Sequence, residues 1–366
     1  MGKEHVHFNV CLGNPPYQQE TAEEFGNNRQ KPSKSVFQLF QEAANQITTE
    51  GSVLIYPGKR WMHQSGKGMK EFGLLQVNDP NLARVDFYPV AQDVFPTTGI
   101  NDGITIVTIK KSKTDSGFDY HYIKDGSEKV IRQENPGEEL LVLNPDDAAV
   151  MTKIVKGIKE NGLGILHDRV MSRSLFGVES DFVEKNPIVV RLLKEGERIN
   201  YPEEVKLLVN DKAGSAGRTK WFVTDSTNIP KNRDLISQWQ VVVISANPGG
   251  QRRDNQLQII DNQSAFGRSK VALGSFKDKQ EAENFFKYCQ TYLVRYALLM
   301  TDENLTSLAK KVPDFNVYLN SDLIDFNTNL DNLNEQLFDF FGLDSTERVY
   351  VKEIIDEKDR RKNKDE

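Results

Sequence analysis

Hydrophobic positions along this chain follow two rhythms, and the change between them divides it. Short apolar runs open the chain: Phe8-Asn9-Val10-Cys11-Leu12 reads as a buried strand, followed by Val53 to Tyr56, Val85 to Tyr88 and Ile104 to Lys110. Segments of helical period lie between them. Val36, Leu39, Phe40, Ala43, Ala44 and Ile47 recur at three- and four-residue spacing, with Ser33 or Ser35 placed to cap them, and a second helix is predicted around Lys67 to Leu75. This βαβαββ order fits the second half of a doubly wound α/β sheet and lacks the first half. A half-sheet would leave the strand carrying Cys11 as an unprotected edge, a liability unless another chain pairs with it.

From about Gly126 to Asn262 the pattern changes to short strands, such as Ile188 to Leu193 and Val241 to Ile244, separated by glycine-bearing polar loops. A strand near Lys270 to Phe276 and one long helix from about Asp278 to Met300 follow, the helix with an apolar stripe of Ala282, Phe285, Phe286, Cys289, Tyr292, Leu293 and Tyr296. These aromatics read as core. The mixed-charge end from Lys352 reads as a frayed helix or a disordered tail. The expected divisions are 1–125, 126–300, 301–345 and 346–366.

Composition narrows the choices. With 366 residues, 38% of them apolar, the chain can bury a core and hold two domains plus an accessory segment. A net charge of −6 argues against a uniformly basic nucleic-acid coat, so any DNA affinity must come from local clusters. Cys11 and Cys289, both in apolar contexts, read as reduced core residues of a cytoplasmic protein. No apolar run approaches the ~20 residues of a membrane span. The five histidines do not cluster with cysteines at metal-ligand spacing, so no metal site is expected. Pro145-Asp146 with Glu204-Val205-Lys206 can be drawn into a nuclease pattern, but so wide a separation matches readily by chance.

Chemistry enters at Gly13-Asn14-Pro15-Pro16-Tyr17, where the first strand ends. This sequence suits the holding of a planar amino group by its two hydrogens. The Asn14 side-chain oxygen accepts one and the Pro15 carbonyl accepts the other, while two prolines fix the local φ angles. Withdrawing the hydrogens from the plane of a purine would free the nitrogen lone pair to attack an electrophilic methyl group. Adenine in a duplex presents that amino group only when flipped out of the stack, and Tyr17 is the candidate ring against which it would lie. A proline-rich turn after a strand is the plainer alternative.

These residues resemble the catalytic motif of amino-methyltransferases that use S-adenosylmethionine, above all the adenine-specific DNA methyltransferases of type II and fused type IIG restriction-modification systems. The resemblance extends to Leu54-Ile55-Tyr56-Pro57-Gly58-Lys59-Arg60-Trp61 and Gly66-Lys67-Gly68-Met69-Lys70-Glu71-Phe72, then to Asp93-Val94-Phe95-Pro96 and Gly103 to Val107. Ser172-Arg173-Ser174-Leu175-Phe176-Gly177 and the helix around Phe285 are similar to parts of the target-recognition domains of those enzymes. It implies the C-terminal half of a doubly wound methyltransferase sheet, followed by a mixed α+β target-recognition domain. Asn14, Pro15, Pro16 and Tyr17 would be catalytic, and Arg60, Trp61, Lys67 and Arg173 would meet DNA. Two further loops, from Lys212 through Arg218 and Lys220 to Trp221 and from Pro248 through Arg252 and Arg253 to Gln256, combine small residues with side chains that read base edges. Their alternative is a pair of solvated loops.

The departures from the family are as informative. Its members carry, before this motif, a glycine-rich loop that grips the cofactor, and Gly162-Leu163-Gly164, Pro248-Gly249-Gly250 and Ala265-Phe266-Gly267 are better read as turns. Asn101-Asp102-Gly103 also stands where the family has a double glycine. The expectation is an adenine methyltransferase portion that acts on double-stranded DNA and needs a partner chain carrying the cofactor-binding half. A noncatalytic DNA-specificity protein with a vestigial motif, and a methyltransferase acting on a glutamine amide, are the alternatives.

Overall fold

The structure is a computed structural model that describes residues 7–20, 33–64, 69–100, 102–138, 140–199, 201–251, 253–301 and 305–365. The chain divides at Ala149 and Val150 into two units. In the first, strands β1 (Phe8–Gly13), β4 (Thr48–Pro57), β5 (Leu82–Tyr88), β6 (Ile104–Lys110), β7 (Phe118–Lys124) and β8 (Ser127–Gln133) form one sheet in the order β1-β4-β6-β5-β7-β8. A short ribbon pairs β2 (Gln18–Glu20) with β3 (Ser33–Ser35). Strands β1 and β4 are parallel, as are β5 and β7, and β6 runs antiparallel between β4 and β5. The sheet is therefore mixed. Its β7–β8 hairpin extends it to Gln133, past the boundary expected at 125.

Alternation along β4 sets the layers. Ser52, Leu54 and Tyr56 are buried while Val53, Ile55 and Pro57 are half-buried. Helices α1 (Phe37–Ile47) and α2 (Met69–Val77) cover the first set. Phe37 of α1 lies 4.9 Å from the Tyr56 ring and 5.7 Å, edge to face, from Phe72 of α2. Helix α1 differs from the apolar spacing in its sequence: Phe37, Gln41 and Ala44 are buried, whereas Leu39 and Phe40 are exposed. Gln41 can be buried because its amide is spent on the Tyr56 hydroxyl, Ser52 Oγ and Asn45 Oδ1. Neither serine caps the helix; Ser33 and Ser35 belong to β3.

The first strand corrects the expectation of a buried strand. β1 ends the sheet among the described residues, and Phe8, Val10 and Leu12 are 53%, 47% and 73% exposed. Only Cys11, on the helix-covered side, packs against the core.

The second unit joins two small sheets through one core. The first, β10-β12-β11-β15, comprises β10 (Arg191–Leu192), β12 (Thr219–Asp225), β11 (Glu204–Asn210) and β15 (Ser264–Phe266); the second, β14-β13-β16, comprises β14 (Gln258–Ile260), β13 (Trp239–Ile244) and β16 (Lys270–Phe276). Val205, Leu207 and Phe222 of one pack with Val242, Ile260 and Ala272 of the other. The long helix expected here is two, α5 (Lys279–Gln290) and α6 (Tyr292–Leu299), because Thr291 takes an extended conformation and its hydroxyl accepts from Val294 N. The charged end is helical, Ser345–Asp365, and anchors itself through buried Val351 and Ile355. No helix among the described residues is long and apolar enough to cross a membrane.

Candidate active site

β1 and β4 run parallel with Gly13 opposite Leu54, so the loop Asn14 to Tyr17 and the loop after Pro57 leave the sheet at the same, carboxyl end. Two prolines prevent the strand from continuing. Pro15 is buried and anchors the turn, while Asn14 and Pro16 are exposed. Among the described residues no group donates to the Asn14 side chain or to the Pro15 carbonyl. Tyr17 closes the loop: its carbonyl accepts from Val36 N at 3.1 Å, which ties the motif to the start of α1. Its ring is half-buried against the core, its hydroxyl has no partner among the described residues, and burial raises its pKa.

The loop after β4 is zipped to the turn before β6. Gly58 N donates to Gly103 O at 2.8 Å, Lys59 N donates to Asp102 O at 3.2 Å, and Thr105 Oγ1 donates to Gly58 O at 2.9 Å. Asp102 forms an ion pair with Arg60 Nε at 2.7 Å. Arg60 remains 56% exposed. Trp61 is not. It is fully buried, 6.0 Å from the Tyr56 ring and 6.4 Å from Phe72, and this corrects the expectation that it meets DNA: the indole is a core side chain. Lys67 and Arg252 lie outside the described residues.

The remaining residues expected at DNA lie in the second unit. Lys212 and Arg218 are on the loop joining β11 to β12; Arg218 donates to the carbonyls of Ser215 and Gly217, and Lys220 pairs with Asp211 at 2.7 Å. Arg253 is exposed, but its loop is fastened underneath: Pro248 to Gly250 are buried, and Gln251 Nε2 donates to the carbonyls of Leu298 and Thr301. Arg173 donates to the Arg268 carbonyl at 3.1 Å.

One cluster had no counterpart in the sequence pattern. Asp86 of β5, His121 of β7 and Glu128 of β8 bring ligand atoms within 4.8 Å of one another. The parallel register places Asp86 beside His121, a relation that linear spacing does not reveal. Arg84 already holds Asp86 at 2.6 Å and Glu128 already meets His121 Nδ1 at 2.5 Å, so each carboxylate has a partner within the protein.

Residues 2–95 match the model of the Eco57I restriction-modification methylase family. No curated protein matches the chain. Among solved structures, a chain from work on complex assembly and conformational transition of the type I R-M system is similar over 43% of this chain and 31% of its own, at 12% identity and a TM-score of 0.25. The type IIG restriction endonuclease BpuSI is similar over 92% of this chain and 49% of its own, at 10% identity and a TM-score of 0.33. This chain thus spans less than half the length of either. The family match takes in β1, the Asn14 to Tyr17 loop, α1, β4, α2 and β5, and the second unit lies outside it.

Proposed function

We propose that this chain supplies the catalytic loop and the target-recognition portion of an adenine-specific DNA methyltransferase of a restriction-modification system. The observation that carries the reading is the placing of two acceptors, Asn14 Oδ1 and the Pro15 carbonyl, on a proline-stiffened loop at the carboxyl end of a parallel strand, inside the segment that matches the methylase family. They accept the two amino hydrogens of a flipped adenine, and Tyr17 offers its ring to the base. S-adenosylmethionine is the methyl donor this reading requires. Of the glycines weighed for its cradle, Gly162 and Gly250 occupy turns at φ +61° and +78°, and a Cβ on Gly267 would stand 2.7 Å from Val209 Cγ2. We place the cofactor-binding strands in a further segment or partner chain that pairs along the apolar edge of β1.

Asn14→Ala in the reconstituted enzyme tests the assignment. Methyl transfer should fall by roughly a hundredfold or more while duplex affinity is retained, as for loss of one preorganised polar group. Equal loss of binding and transfer counts against it. Calorimetry with the chain alone tests the division: micromolar cofactor binding without a partner would refute it.

A further inference from the structure

We propose that Arg173 and Arg268 form a clamp for one backbone phosphate of DNA, with Glu179 holding Arg268 in place until the phosphate arrives. The inference rests on the DNA-binding reading above and assigns part of its surface. The segment carrying Arg173 is lashed to the start of β16, Met171 N donating to Ala272 O at 2.9 Å and Arg268 N donating to Val178 O at 3.0 Å. Arg173 Nε donates to the Arg268 carbonyl at 3.1 Å, and that oxygen also accepts from Ser245 Oγ at 2.9 Å. The Arg173 guanidinium is thereby held at the Arg268 backbone, and the Arg268 side chain, on Glu179, lies near enough for its charge to act on Arg173.

Their charges are unequally compensated. Arg268 NH1 pairs with Glu179 Oε2 at 2.6 Å, and the other Glu179 oxygen accepts from Ser174 Oγ at 3.1 Å. Among the described residues Arg173 has no carboxylate within ion-pair distance, and burial, then the charge of Arg268, lower its pKa. Two cations share one anion. A guanidinium carries five N–H donors in a planar fork, and among the described residues Arg173 spends only its Nε on protein. Unspent donors beside a second guanidinium, with one positive charge in excess, fit a singly charged phosphate diester. A purely structural role for Arg173 would need the Nε bond alone.

The experiment measures duplex affinity against salt concentration for the full chain with its cofactor-binding partner. Replacing both arginines, Arg173→Ala with Arg268→Ala, should reduce the slope of log affinity against log salt by about 1 and weaken cognate and noncognate duplexes by the same factor. Glu179→Gln should act oppositely and strengthen both several-fold, a gain that misfolding cannot mimic. An unchanged slope in the double variant, weaker binding by Glu179→Gln, or loss confined to the cognate duplex would each overturn the clamp. Absence of duplex binding by the parent protein would instead refute the DNA-binding reading on which it rests.

Discussion

Gly58→Ala should loosen the candidate active site without touching a catalytic group. Gly58 has φ +41°, in the left-handed region, and a Cβ there would stand 2.3 Å from Asp102 O, 2.4 Å from Asp102 Cβ and 2.6 Å from Asp102 C. Two of these atoms are backbone, so no rotamer change relieves the overlap. The left-handed conformation costs a non-glycine residue about 1–2 kcal/mol. Overpacking adds about 1–3 kcal/mol, giving a total of about 2–5 kcal/mol. The three hydrogen bonds that join Gly58, Lys59 and Thr105 across this loop are the ones that must yield. Trp61 reports the event, because the other tryptophans, Trp221 and Trp239, belong to the second unit. In a Trp221→Phe, Trp239→Phe background, urea unfolding followed by Trp61 fluorescence should shift its midpoint down by about 0.7–2.5 M, taking a slope of roughly 2–3 kcal/mol/M. Arg60→Ala breaks only a half-exposed ion pair and should cost less than about 1 kcal/mol. A midpoint unchanged by Gly58→Ala, or equal losses in the two variants, would show that the zipped loop does not hold this end of the sheet.

Tyr17→Phe removes a hydroxyl that has no partner among the described residues; stability should hold or rise by up to about 1 kcal/mol in chemical denaturation, and methyl transfer should survive because the ring face remains. Burial pushes the Lys270 ammonium down to about 8 from 10.5. The folded state therefore releases this proton before the unfolded state does, so its contribution to stability rises between about pH 8 and pH 10.5 and is least below pH 8. Lys270→Met should stabilise the protein at pH 7 by on the order of 1–3 kcal/mol, and unfolding curves of the two proteins should converge as the pH approaches 10. Arg169 holds the buried Asp314 carboxylate with bonds of 2.9 and 3.3 Å and lies over the Phe276 and Tyr318 rings. Arg169→Ala should cost about 3–5 kcal/mol in thermal or chemical unfolding, since it strands a buried charge, whereas a loss under about 1 kcal/mol would mean that solvent reaches Asp314.

Legibility in the sequence followed how local each determinant is. β6 and β16 occupy the residues that their apolar runs mark, because alternation and flanking turns suffice to define a strand. The helix read as continuous from Asp278 breaks at Thr291 because a threonine hydroxyl can cap as readily as it can sit within a helix, and helical period does not distinguish the two. Trp61 shows the same limit for a site residue. The resemblance implied that it meets DNA, and only the packing of Phe37, Tyr56 and Phe72 around it reveals the ring as core. Arg268 went unread for the converse reason, since nothing in its own sequence neighbourhood shows that Arg173 will be fixed beside it.

The edge strand brings these levels together. Phe8, Val10 and Leu12 alternate with Asn9 and Cys11, a composition suited to a strand covered on both faces and paired on both sides. Among the described residues only β4 pairs with it, and the three apolar side chains are exposed. Sheet edges that face water are ordinarily protected by lysine, proline, a bulge or short length. β1 has six residues and its one register irregularity falls between Phe8 and Val10, which leaves Cys11 to Gly13, the part next to Asn14, in unbroken register with β4. The same stretch that positions the acceptors of Asn14 and Pro15 is thus the stretch best suited to receive another strand. On the proposed reading, a partner adding there would cover Leu12 and build a wall beside the Asn14 to Tyr17 loop in one step, so completion of the sheet and of the proposed site would be the same structural event.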